Sequence, residues 1–295
     1  MPAFSATDGT ELAYHVHGEG IPLLCMPGGP MRASVYLGDL GGLSAHRQLI
    51  MPDLRGTGDS AIPEDPGSYR CDRLVDDVAA LQDHLGLDRC DLLGHSAGGN
   101  IAVQYATRHQ TRVSRLALIT PSARSAGLDP DAEMRRQIVK LRHDEPWFAE
   151  AAAAFERIAG GGGSEDDWEA MDPFFYGRWD VAAQAHSAAG QSQTSEAAAR
   201  AFGAEGAFDP PATRAALAAF GPPVLVLAGG VDLSWPPQAL AEFAALFPAA
   251  RFIVQPGAGH YPWLDDAGRF VSTVTEFLND GPECALRESA GARTR

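Results

Sequence analysis

Ser96 sits between paired glycines in Gly94-His95-Ser96-Ala97-Gly98. A serine hydroxyl becomes a useful nucleophile only when a base takes its proton and a third group orients that base. Before the pentapeptide, Cys90-Asp91-Leu92-Leu93 reads as a short buried strand; after it, Gly99 to Ala106 reads as a helix. Strand, sharp turn and helix form the setting that holds such a serine in strained backbone and exposes its hydroxyl. Glycine is expected at 94 and 98 because a Cβ at either would strike the neighbouring strand or helix. The helix N-terminus beneath Ser96 places partial positive charge where an oxyanion would form.

The base is expected from Pro256-Gly257-Ala258-Gly259-His260, a loop that follows a strand at Arg251 to Gln255 and precedes the final helix. Its small residues let His260 approach the serine, and none of the other histidines among the nine in the chain is placed this way. The ring of His95 should point away from Ser96 and pack or bond locally. Nucleophiles in this setting take their acid from between serine and histidine in the chain. Asp232 follows the strand Val224 to Ala228 within Gly229-Gly230-Val231-Asp232, and a carboxylate there would hold the His260 tautomer. A turn, or a cap for the helix near Pro236, is its other use. Asp265 and Asp266 lie nearer His260 in the chain but are placed to cap the last helix. Two backbone N–H groups must face the oxyanion. Ala97, after the nucleophile, should give one, and Gly29 in Pro27-Gly28-Gly29-Pro30 the other, with Gly28 as the alternative.

The elements that must position these groups follow from hydrophobic period. Ala3 to Ala6 and Glu11 to His17, joined through Asp8-Gly9, read as a β-hairpin. Ile21 to Met26 is a nearly unbroken apolar run, typical of a strand buried on both faces. Gln48 to Met51 and Arg115 to Ile119 are further strands. Leu74, Val75, Val78, Leu81 and Leu85 fall at helical spacing and Gly86 stops them. The alternation predicts an α/β fold with a mostly parallel sheet between helical layers. From Pro121 the chain turns rich in alanine, acids and aromatics, without a buried strand. Helices are expected at 137–141 and 147–158, a flexible link at 160–164, and an aromatic cluster at 172–179. The segment reads as a helical cap inserted after the sixth strand. Residues 1–120 and 214–280 would then form the core, 121–213 the cap, and 281–295 a disordered tail lacking apolar periodicity.

Composition narrows the partners. Thirty-eight acidic against 23 basic side chains give a net charge of −15, which disfavours nucleic acid and anionic membranes. The four cysteines show no paired spacing, which fits a reducing compartment. No leader-like N-terminus and no apolar run of membrane length is present, so a cytoplasmic protein is expected. No metal-ligand or cofactor motif appears, so neither group is expected. Oligomeric state is not legible.

The chain resembles the α/β-hydrolase superfamily over all but its tail. Pro27-Gly28-Gly29-Pro30 followed by Asp53-Leu54-Arg55-Gly56-Thr57-Gly58-Asp59-Ser60 looks like its prolyl aminopeptidase (proline iminopeptidase) branch. That branch usually shows His-Gly-Gly-Pro-Gly and Asp-Gln-Arg-Gly-x-Gly-x-Ser. Here Pro27, Met31 and Leu54 replace the histidine, the last glycine of the first motif and the glutamine. The elbow has His95 and Ala97 where the branch commonly carries Gly and Trp or Tyr. The resemblance implies a serine hydrolase working through an acyl-enzyme. The activity it favours is aminopeptidase-like release of an N-terminal aminoacyl group from a peptide or small amide. It also implies cap glutamates that clamp the free amino group, for which Glu196 and Glu205 are the candidates. The aromatics Trp147, Phe148, Phe174, Phe175 and Trp179 would wall an apolar pocket or pack the cap. Asp53 and Arg55 are expected to organise their turn. A small-molecule esterase or lactonase is the alternative. A C–C bond hydrolase or perhydrolase would use the same triad, and a non-catalytic ligand-binding homologue is the reading outside enzymology.

Overall fold

A computed structural model describes residues 1–280; the tail expected at 281–295, with Cys284, lies outside the described residues. Eight strands, β1 (Ala3–Ser5), β2 (Glu11–His17), β3 (Pro22–Met26), β4 (Gln48–Pro52), β5 (Cys90–His95), β6 (Val113–Ile119), β7 (Val224–Gly229) and β8 (Ala250–Gln255), form one sheet. Their order is β1-β2-β4-β3-β5-β6-β7-β8. The hairpin and the β2–β4 pair are antiparallel, and every pair from β4 to β8 is parallel.

Strands buried on both faces still obey a period of two, which here divides the core. Leu24, Met26, Leu92, Leu116, Leu118 and Val226 face one layer, with α1 (Cys71–His84) and α2 (Gly98–Arg108) against them. Leu23, Cys25, Leu93, Ala117, Ile119 and Leu225 face the opposite layer and the last helix. The turn after β4 is organised as expected. Asp53 accepts hydrogen bonds from Ser34, His15 and the Asp59 N–H. Arg55 grips Asp77 through two bonds of 2.6 Å.

Six helices lie between β6 and β7: α3 (Ala132–Lys140), α4 (Phe148–Ala159), α5 (Glu165–Ala170), α6 (Val181–Gln193), α7 (Glu196–Phe202) and α8 (Pro210–Ala218). α8 straddles the expected boundary at 213. Only α3 and α4 were visible as apolar periodicity, and α3 begins five residues before its expected start at 137. α6 is built mainly from Ala, Ser and Gln, so it has no apolar stripe to read. Ile138, Val139, Phe155, Met171 and Phe174 form a cluster of their own that closes on Leu233, beside Asp232 in the core. After β7 come α9 (Pro237–Ala244), α10 (Pro262–Asp265) and α11 (Ala267–Asn279). No helix of the described residues is long and apolar enough to cross a membrane.

Candidate active site

β5 ends directly in the turn that carries Ser96, whose φ of 51° is a left-handed backbone rare for a side-chain-bearing residue. The flanking glycines make that turn possible by closeness. A Cβ on Gly94 would lie 2.7 Å from the Gly98 carbonyl oxygen and 2.8 Å from Ala102 in α2. One on Gly98 would lie 2.3 Å from the Met26 carbonyl oxygen and 2.5 Å from that of Pro27, both backbone atoms at the end of β3. Gly98→Ala must therefore push α2 off the sheet, and overpacking of this kind costs roughly 1–3 kcal/mol. A lowered urea midpoint with unchanged slope is the expected result.

His260 Nε2 stands 2.8 Å from Ser96 Oγ, and its Nδ1 stands 2.9 Å from Asp232 Oδ2. The Asp232 side chain is fully buried. Its second oxygen accepts the N–H groups of Ser234 (2.8 Å) and Trp235 (3.3 Å), so it makes the turn and meets the histidine at once. Asp266 caps α11 as expected, by accepting from the Arg269 N–H. Asp265 does not cap. It accepts from Gly259, Gly177 and Arg178 N–H groups at 2.7, 2.9 and 3.1 Å, tying the His260 loop to the cap, and burial raises its pKa.

The backbone of His260 is clamped on both sides. Its N–H donates to the Phe175 carbonyl (2.7 Å), and its carbonyl accepts from the Thr120 hydroxyl (2.8 Å) and His95 Nε2 (2.9 Å). His95 thus departs from the expectation of local bonding: it turns away from Ser96 but reaches partners far along the chain. Since Nε2 faces a carbonyl, it carries the proton, and Nδ1 accepts from the Tyr36 hydroxyl at 2.6 Å. Burial holds the His95 pKa well below its ordinary 6.5, which keeps the ring neutral. Tyr36 in turn accepts the Gly28 N–H at 2.7 Å. This leaves Gly29, not Gly28, with an uncommitted N–H. Neither Gly29 nor Ala97 donates to a protein acceptor among the described residues. Tyr36 and Thr120 escaped the sequence reading because their partners are remote; the histidine inside the elbow was the only hint.

Two cavities of about 870 and 390 Å³ meet at Gly29, Ser96 and Ser234. Of the expected pocket residues, Phe175 and Trp179 line the larger one. Trp147 and Phe174 do not: their rings pack edge to face at 5.0 Å inside the cap, and Phe148 lies 6.5 Å from Phe174. Glu196 and Glu205 also lie outside both cavities. Glu196 opens α7 facing outward, 78% exposed, and pairs with Arg200 one turn on; Glu205 is exposed in the following turn. The carboxylates that do line the larger cavity are Glu169 and Asp172, together with Arg32, Tyr36 and Tyr261. Their positions on α5 and in loops give no periodic signal. Arg32 was not singled out either, and its place directly after the Gly-rich loop is the signal that could have found it.

His186 fastens α6 over this site. Its Nε2 donates to the Tyr36 carbonyl (3.2 Å) and its Nδ1 accepts from the Tyr176 hydroxyl (2.8 Å). Burial first, and then the Arg32 charge, lowers its pKa from 6.5 to about 4. The unfolded chain therefore binds the extra proton first. This contribution to stability is complete above pH 6.5 and lost as pH falls through the window to about 4. Thermal unfolding of His186→Gln should show a shallower decline than wild type across that window.

Residues 21–267 match the alpha/beta hydrolase fold family, and the chain belongs to it. It is 29% identical, over 94% of each chain, to 2-hydroxymuconate semialdehyde hydrolase of Pseudomonas sp. strain CF600. It is 25% identical to proline iminopeptidase of Clostridioides difficile strain 630, covering 92% of this chain and 95% of that one. Among solved structures, a thermophilic esterase from Thermogutta terrifontis superposes with a TM-score of 0.69 at 27% identity, covering 94% of this chain and 97% of the other. The class these relatives and this fold define is a hydrolase of the α/β-hydrolase superfamily.

Proposed function

We propose that the protein is a serine hydrolase that cleaves small esters through an acyl-enzyme. The observation that carries this is the continuous contact from Ser96 Oγ to His260 Nε2 (2.8 Å) and from His260 Nδ1 to Asp232 Oδ2 (2.9 Å). Ser96 attacks the carbonyl carbon as His260 takes its proton. His260 then returns that proton to the leaving oxygen, while Asp232 stabilises the transient imidazolium. The N–H groups of Gly29 and Ala97 receive the oxyanion, a role supported by their lack of protein acceptors. Water, deprotonated by His260, releases the acid. Two cavities converging on Ser96 suit an acyl part and a leaving part of a small molecule. Residues 1–120 with 214–280 act as the catalytic core and 121–213 as the cap that closes both cavities.

Aminopeptidase-like cleavage is the second reading. The position of Glu169 and Asp172 on the wall of the larger cavity favours it, since a carboxylate there would hold an α-ammonium group. Glu196 and Glu205 do not serve this role from where they stand. A panel of p-nitrophenyl esters against aminoacyl p-nitroanilides separates the two. Ester turnover with anilides at least about 100-fold slower in kcat/KM is expected, a difference of about 2.7 kcal/mol in transition-state binding. Comparable anilide turnover would replace the esterase reading by the second, and cleavage of neither would reject both.

A further inference from the structure

We propose that Arg32 is the recognition site for a carboxylate carried by the substrate. Arg32 is 5% exposed yet lines the cavity that holds Ser96. Its Nε donates to Gln193 Oε1 (2.8 Å), its Nη2 to the His186 carbonyl (2.9 Å), and the guanidinium lies 4.7 Å over the Tyr36 ring. All of these partners are neutral, and no carboxylate lies within 4 Å of it among the described residues. Three of the other four buried arginines differ. Arg55 pairs with Asp77 at 2.6 Å, Arg115 with Asp91 at 3.5 Å and Arg142 with Glu145 at 3.2 Å. Arg47 also has only neutral hydrogen-bond partners, the His46 and Leu278 carbonyls and Asn279 Oδ1, but it faces neither cavity at Ser96.

A buried guanidinium without a counter-ion is costly, and the cost is relieved when an anion supplies paired, charge-assisted hydrogen bonds. Here the backbone holds the residue in place independently of any ligand. Arg32 bridges to Thr194, the Ala33 N–H donates to Gln193 and the Ser195 N–H to Met31, so the Gly-rich loop and the end of α6 form one wall. The cation is pre-positioned and its field is felt by His186, His95 and Tyr261. Asp172, on the same cavity, is engaged by the Ser187 hydroxyl and is not paired with Arg32. The arginine's planar fork suits a carboxylate better than a point charge would.

The proposal deepens the hydrolase reading and rests on it for turnover, so its test has a binding arm as well. Mono-p-nitrophenyl esters of succinate, glutarate and adipate are compared with the same esters methylated at the far carboxyl. Wild type should prefer the free acid at the best length by about 10- to 100-fold in kcat/KM, the factor expected of charge-assisted bonds. In Arg32→Gln that ratio should fall to near one, whatever the absolute rate. Gly190→Asp gives a second route. A Cβ there would sit 3.5 Å from Arg32 Nη1 in ordinary contact, so its carboxylate would neutralise the cation from within and lower the same ratio. A wild-type ratio near one, or a preference that survives both substitutions, overturns the proposal. Calorimetry of the three dicarboxylates on Ser96→Ala protein reads binding without turnover. Binding that Arg32→Gln abolishes supports the site even if no ester is cleaved, and absence of binding by all three contradicts it.

Discussion

Replacing Ser96 by alanine should lower turnover of a p-nitrophenyl ester by roughly 10⁴- to 10⁶-fold, with folding stability kept or improved. Both halves follow from the geometry. The hydroxyl is the atom 2.8 Å from His260 Nε2, so in the proposed mechanism its loss removes the nucleophile and leaves the imidazole without a proton to take. Alanine keeps the Cβ that the turn already accommodates at φ 51°, and it buries no new polar atom. Residual rate would come from the Gly29 and Ala97 N–H groups and from His260 acting on water. Purified variant and wild type, compared by initial rates and by thermal melting, check the pair of expectations.

Asp232→Asn should cost about 10³- to 10⁴-fold in kcat while leaving the fold intact. Asp232 Oδ2 accepts from His260 Nδ1, so the aspartate fixes the tautomer whose bare Nε2 faces Ser96. Asparagine is isosteric, and its carbonyl oxygen can still accept the Ser234 and Trp235 N–H groups that hold the turn. Its amide N–H₂ would then face Nδ1 and make it an acceptor. The proton moves to Nε2, where it points at the serine and blocks deprotonation. A variant that melts like wild type but turns over esters at the wild-type rate would remove Asp232 from the mechanism.

The core of the fold was legible because burial on both faces writes itself as apolar runs. β3, β5, β6 and β7 needed nothing else, and the strand–turn–helix around Ser96 followed from them. Asp232 was legible as a polar residue in the short loop after buried β7, and His260 as the histidine of a small-residue loop after the less buried β8. The cap was not, for two physical reasons. α6 is alanine-rich and half exposed, so its sequence has no stripe to mark a face. Acids in the cap look alike from sequence, whereas their fate depends on which side of a helix meets the cavity: Glu196 faces outward to Arg200, while Asp172 reaches inward to Ser187. Trp147 and Phe174 read equally as pocket walls or as cap packing, and they pack against each other. Long-range hydrogen bonds outside the Ser96–His260–Asp232 set leave no trace in the sequence. The path Gly28–Tyr36–His95–His260 joins residues up to 165 positions apart, and no local pattern announces it.

The most direct test of the account is covalent capture of the nucleophile. Wild-type protein treated with a fluorophosphonate should gain one adduct, mapped by peptide mass spectrometry to the hydroxyl of Ser96, and His260→Ala should slow its formation by at least about 100-fold. An unlabelled protein, or an adduct that persists unchanged in Ser96→Ala, would contradict the assignment of Ser96 as the attacking group.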